Sequence, residues 1–265
     1  MKDSFSPEYL KERFPKHDID FKLNTKSKGS GFFGSIHNYK IISKKKSKEK
    51  GFFRKIFAKD NRIVKEKNFI LKIFYSGIKF KDSLKIYDYL KKNKVPTFNT
   101  YRQFESDIII MDDLSLNNKF CVSIMYTNKN NNNDDFVYLD KNKIDEILNF
   151  NEFVFEVIDI FEKFEKLKVS SKTVNETWVN DFLFFIGDKN IKTKIKVIVG
   201  DLDMIYYDKF FYICGDLKKE MILENINLFI KDYVNPKNIN VYLNQANKII
   251  EEFYFRDDNK LKKVS

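Results

Sequence analysis

The chain has 265 residues, 43% of them hydrophobic and 16% aromatic, with 28 Phe. That composition supplies a large core and excludes a disordered chain, which lacks the apolar side chains to offset the entropy of ordering. Most of the formal net charge of +11 sits in residues 44–67, where eleven Lys or Arg stand against three acidic residues, so the excess is local and does not by itself point to nucleic acid.

Taken in order, residues 1–20 read as an N-terminal arm with a helix that starts at Ser6-Pro7-Glu8 and ends at Phe14-Pro15. Two extended stretches, 21–28 and 35–43, flank Gly29-Ser30-Gly31-Phe32-Phe33-Gly34. A G-x-G-x-x-G run lets backbone N–H groups approach a phosphate, because three positions carry no side chain. Strand, turn, strand differs from the dinucleotide fingerprint, which needs a helix directly after the third glycine. Residues 44–67 read as a loop by charge density. Residues 68–75 predict a strand with Lys72 at its centre, in Phe69-Ile70-Leu71-Lys72-Ile73-Phe74. An ammonium among apolar residues needs an anion, unless its stem carries it out from a strand edge. Residues 82–93 have helical spacing through Leu84, Ile86, Tyr87 and Leu90; no Glu is present, and Asp88 is the best-placed carboxylate to pair with Lys72. After Val95-Pro96, strands are predicted at 98–104 and 107–111.

Residues 120–126 and 136–139 predict two further strands joined by a low-complexity, Asn-rich loop. Residues 141–168 predict the longest helix, with Ile144, Ile147, Leu148, Phe153, Val154, Val157, Ile158, Phe161, Phe164 and Leu167 as one apolar stripe. Strands at 178–186 and 194–199 follow, then a hairpin of 204–207 with 210–214, and helices at 217–233 and 240–255. Cys121 and Cys214 lack metal-ligand spacing and read as buried free thiols; His17 and His37 lack partners at triad spacing and read as surface residues. No run approaches the ~18 apolar residues of a membrane span, and the first residues carry no signal-peptide stretch. A cytoplasmic protein is the expectation.

The α+β order resembles the protein-kinase-like fold, including the small-molecule and lipopolysaccharide kinases that share it, over roughly residues 20–230. Gly29, Gly31, Gly34 and Ile36 are similar to G-x-G-x-x-G-x-V, residues 69–72 to V-A-I-K, and Ile108-Ile109-Ile110-Met111-Asp112-Asp113-Leu114 to the hinge. The resemblance implies two lobes, an antiparallel-sheet N-lobe with one helix (21–114) and a mostly helical C-lobe (115–265). It also implies ATP and Mg²⁺ as cofactors, with Gly29, Gly31, Gly34, Ile36, Lys72, Asp88 and Met111 around the nucleotide. In the second lobe, Thr173-Val174-Asn175-Glu176-Thr177-Trp178-Val179-Asn180 resembles the catalytic loop. Asn180 then matches the metal-binding asparagine, Asp201 the aspartate of D-F-G, and Asp203 a second metal ligand. Asn175 stands where the catalytic aspartate belongs.

The implied activity is transfer of the γ-phosphate of ATP to a hydroxyl of a protein, sugar or lipid-linked glycan. Phosphoryl transfer depends mainly on positioning and charge neutralisation, and Asn175 can orient a hydroxyl without acting as a base. Glu176 or Asp203 are the replacements within reach in sequence. The alternative is a pseudokinase, a nucleotide-binding or interaction module. A third reading concerns 44–67 alone: Phe52, Phe53, Ile56 and Phe57 among basic residues suit an anionic membrane surface and would make the protein peripheral to it. Nucleic acid is the weaker fit, because these aromatics cluster rather than form a stacking platform.

Overall fold

In the computed structural model the described residues are 7–13, 19–23, 29–30, 34–44, 64–74, 77–102, 107–123, 134–171, 183–200, 205–207 and 214–261. The architecture is α+β, and the chain divides into two compact units: Met1–Lys85 with Phe98–Asp113, and Ile86–Thr97 with Leu114–Ser265.

The first unit is built on an antiparallel sheet. Its elements are α1 (Pro7–Arg13), β1 (Ile19–Leu23), β2 (Gly29–Ser30), β3 (Gly34–Lys44), β4 (Val64–Phe74), the first part of α2 (Gly77–Lys92), β5 (Thr100–Arg102) and β6 (Ile108–Asp112). The strand order is β1-β3-β4-β6-β5, and β2 also pairs with β3. Side chains alternate across a strand, so one face collects every second residue. Phe21, Tyr39, Ile41, Phe69, Leu71, Ile73, Ile108 and Ile110 meet Leu10 of α1 in a single apolar cluster. The arm helix starts at Pro7, where the missing N–H costs nothing.

The basic stretch departs from expectation. β3 and β4 pair over eleven positions, from Gly34↔Phe74 to Lys44↔Val64, so residues 64–67 are strand and not loop. Charge density misleads here because a strand tolerates charges that find cross-strand partners: Lys67 Nζ lies 3.2 Å from Asp112 Oδ1, and Lys40 Nζ lies 3.1 Å from Glu66 Oε2. Residues 45–63 lie outside the described residues. His37 also differs from its expectation: it is buried at 6% exposure, beside Tyr39. His17 lies outside the described residues.

The second unit contains β7 (Lys119–Ser123), α3 (Asp134–Lys141), β8 (Glu146–Ile147), α4 (Phe150–Lys166), β9 (Val169–Ser171), β10 (Leu183–Asp188), β11 (Lys192–Thr193), β12 (Lys196–Val199), β13 (Ile205–Tyr207), α5 (Gly215–Tyr233), a 3₁₀ turn (Pro236–Asn238) and α6 (Ile239–Leu261). Strands β12, β10 and β7 form one sheet, and β13 pairs antiparallel with β9. The strand expected at 136–139 is part of helix α3; its short apolar run fits either period. The long helix expected over 141–168 starts at Phe150. Ile144 and Ile147 are buried but extended, in a bridge to Val234 and in β8, and their spacing of three imitates a helical stripe. Asn149 marks the break: its side-chain amide donates to the Ile195 carbonyl and accepts from the Ile195 N–H, both at 2.8 Å. Leu148, counted in the stripe, is 53% exposed. The longest helix among the described residues is α6, 23 residues. Cys214 is exposed and Cys121 half-buried, against the expectation of two buried thiols.

Three helices are fastened by a polar cluster. Lys218 of α5, nearly buried, pairs with Glu162 at 2.5 Å and with Glu165, both on α4, and Tyr254 of α6 donates to Glu162 at 2.8 Å. Burial works to lower the Lys218 pKa, but the hydrogen bonds and charge of the two carboxylates outweigh it and raise it. A tighter constraint sits in β10. Gly187 lies opposite Phe120, and a Cβ there would come 2.6 Å from Phe120 Cζ and 3.0 Å from Thr193 Oγ1. Phe120 is fully buried and has little room to give. Gly187→Ala is therefore expected to destabilise the fold by about 1–3 kcal/mol, read as a lower urea midpoint. An unchanged midpoint would show that the ring yields.

Candidate functional site

Residues directly opposite each other in an antiparallel ladder share a face. The register places Gly29 opposite Ile36, Ile36 opposite Lys72, Lys72 opposite Ile109 and Ile109 opposite Arg102. One step of two residues along the strands, a second row runs Asn38, Ile70, Met111, Thr100. Gly34 is opposite Phe74 on the other side of the Lys72 row. Gly29, Gly34, Ile36, Lys72 and Met111 thus lie on one face of the sheet, and the packed cluster around Tyr39 and Leu71 occupies the opposite face.

Lys72 is 6% exposed, and its Nζ lies 5.6 Å from the Phe74 ring centroid. Phe74 in turn meets Phe80 of α2 edge-on at 5.8 Å. The ammonium is shielded from water, which strengthens its attraction for an anion. On that face Gly29 and Gly34 present backbone without a side chain, on either side of Ile36. A buried cation beside glycine backbone is an arrangement able to hold an anionic group.

No family model matches the chain. No curated protein matches it either. The geometry therefore carries the reading.

Asp88 lies on α2 and is exposed. Gly31, Asn175, Glu176, Asn180, Asp201 and Asp203 lie outside the described residues. Among the described residues, no group of three or more His, Cys, Asp or Glu could hold a metal ion, and no helix is long and apolar enough to cross a membrane.

Sequence reasoning missed one polar pair on the same face. Asn38 Nδ2 donates to Asp113 Oδ2 at 2.7 Å, with the two residues 8% and 6% exposed. The available signal was a polar residue two positions beyond Ile36, on the same face of an extended stretch. His37, on the other face, has its pKa lowered by burial from the ordinary 6.5. The neutral form is favoured in the fold, so its contribution to stability is complete above about pH 6.5 and is lost as the pH falls through the lowered value. We expect unfolding free energy to decline by less than about 1.4 kcal/mol per pH unit below pH 6.5, with the decline reduced in His37→Phe. Identical profiles for the two proteins would place the titrating group elsewhere.

Proposed function

We propose that the chain is a kinase-like protein that binds ATP with Mg²⁺ and transfers the γ-phosphoryl group to a hydroxyl of a protein, sugar or glycolipid. The observation that carries this reading is the row Gly29, Ile36, Lys72, Ile109, which sets a buried ammonium beside glycine backbone on the sheet face opposite the Tyr39 and Leu71 cluster.

In this reading Lys72 holds phosphate oxygens by charge and hydrogen bonds. The backbone around Gly29 and Gly34 closes over them, and Ile36, Ile70 and Met111 offer apolar surface to a base. The carboxylate oxygens of Asp201 and Asp203 and the amide carbonyl oxygen of Asn180 are ligands of the type that Mg²⁺ accepts, and the metal would supply neutralisation of the transferring group's charge. Asn175 would orient the acceptor hydroxyl, and Glu176 or Asp203 would take its proton. A second reading, a pseudokinase, is favoured by one specific feature: an amide at Asn175 cannot accept the proton as a carboxylate does.

The test is stabilisation of the intact chain by Mg-ATP and its loss in Lys72→Met. Absence of any shift with Mg-ATP would remove the enzyme and the nucleotide-binding pseudokinase alike. Binding with phosphoryl transfer supports the enzyme, and binding without transfer supports the pseudokinase.

A further inference from the structure

We infer that the outer face shared by α4 and α6 is a docking surface for a basic amphipathic helix of a partner protein. Both helices belong to the second unit, so the surface is independent of the Lys72 row.

Four contacts fix how the two helices run. The Phe150 ring lies 4.6 Å from that of Tyr242, Gln245 Nε2 donates to Asn151 Oδ1 at 2.8 Å, the Phe155 ring lies 6.5 Å from that of Phe253, and Tyr254 donates to Glu162 at 2.8 Å. The partners follow in the same order along both helices, so α4 and α6 lie side by side and parallel. Positions i, i+4, i+7 and i+11 share one face of a helix. Counted from Leu148, just ahead of α4, that series is Leu148, Glu152, Phe155 and Asp159; on α6 it is Val241, Gln245, Lys248 and Glu252. All are exposed except Gln245, which is half-buried against Asn151. Five large hydrophobic side chains are exposed among the described residues, and three stand here: Leu148 at 53%, Phe155 at 48% and Val241 at 61%. Single exposed apolar residues are ordinary, whereas three along one face of paired helices make a stripe that marks an interaction site. Val241 and Leu148 stand about two helical turns from Phe155, the interval between anchors i and i+7 of a helix laid in the furrow.

Charge selects the occupant. The stripe sets the carboxylates of Glu152, Asp159 and Glu252 against the one ammonium of Lys248, although the whole chain carries +11. Among the described residues Glu152 has no ion-pair partner. Asp159 meets Lys163 at 2.6 Å and Glu252 meets Lys248 at 4.0 Å, surface pairs of little worth that yield to an incoming cation. A second copy docked by the same face would set these carboxylates against their own kind. A helix with Lys or Arg beside its apolar side chains meets them with opposite charge.

The experiment is fluorescence anisotropy of the intact protein, at low and high salt, with a labelled synthetic amphipathic helix of Leu and Lys and with its counterpart bearing Glu at every Lys position. We expect the Lys peptide to bind and the Glu peptide not to, affinity to fall as salt rises, and Lys248→Glu to tighten binding. Phe155→Ala should weaken binding on the order of 10-fold, while Leu23→Ala, at an exposed apolar residue of the first unit, leaves it unchanged. Glu152→Lys, at an exposed position that the fold does not need, gives the same loss should Phe155→Ala fail to fold. No binding of the Lys peptide, preference for the Glu peptide, or a Kd that neither Phe155→Ala nor Glu152→Lys moves would overturn the proposal. Sedimentation showing a dimer that Phe155→Ala disperses would overturn it in favour of a second copy.

Discussion

Phe229→Ala is expected to lower the unfolding free energy by about 3–5 kcal/mol, the largest single effect we foresee from the core. Phe229 is fully buried on α5 and joins three elements. Its ring stacks on Phe185 of β10 at 4.6 Å and 23°, and lies 5.4 Å from Phe153 of α4 and 5.4 Å from Tyr233. All four rings are nearly or fully inaccessible. Truncation removes the transfer free energy of a benzyl group and leaves a cavity whose walls belong to a strand and two helices, so collapse into it is limited. Aromatic pairing adds about 0.5–1.5 kcal/mol per favourable pair beyond area. The control is Leu148→Ala, at a side chain 53% exposed, expected to stay within about 0.5 kcal/mol of wild type. Urea unfolding followed by circular dichroism reads both. A loss under about 1 kcal/mol for Phe229→Ala would mean that the three elements are not packed as described.

Lys72→Met is expected to remove nucleotide stabilisation. At Mg-ATP near 100 times its Kd, the wild-type chain should gain about 2.7 kcal/mol, a shift of several degrees in Tm. Methionine keeps an unbranched stem against Phe74 and removes the ammonium, so packing changes little while the anion loses its partner. The loss should follow from charge alone. Lys72→Arg keeps the charge but enlarges and flattens the head group, and at a site 6% exposed it is expected to restore only part of the shift. A full shift retained in Lys72→Met would show that the phosphates bind elsewhere.

The sheet was the most legible part of this chain. Near-continuous apolar runs in 68–75 and 107–111 marked strands, and Pro7 and Pro15 bracketed the arm helix, because composition and proline act locally. Failures came where tertiary partners override local pattern. Residues 64–67 read as loop because pairing with Ser43, Ile42 and Ile41 is invisible in a charge run. The stripe from Ile144 to Leu148 continued a helical period that the exchange of hydrogen bonds between Asn149 and Ile195 interrupts. His37 appeared unpartnered in sequence and is buried by neighbours brought from other strands.

For the candidate site, Gly29, Gly34, Ile36, Lys72 and Met111 could be named from motif spacing, and register adds that they share one face. Asn38 and Asp113 could not, since 75 residues separate them and their meeting depends on strand order. Asp88 was chosen by helical position, and it lies on α2 at an exposed position.

Amide hydrogen exchange of the intact protein, with and without saturating Mg-ATP, tests the central claim most directly. The account predicts slowed exchange in peptides covering Gly29–Ser30 and the first residues of β3, with little change at β1 and the Lys44 end of β3. Unchanged exchange across residues 29–36, with ATP bound as judged by calorimetry, would contradict it.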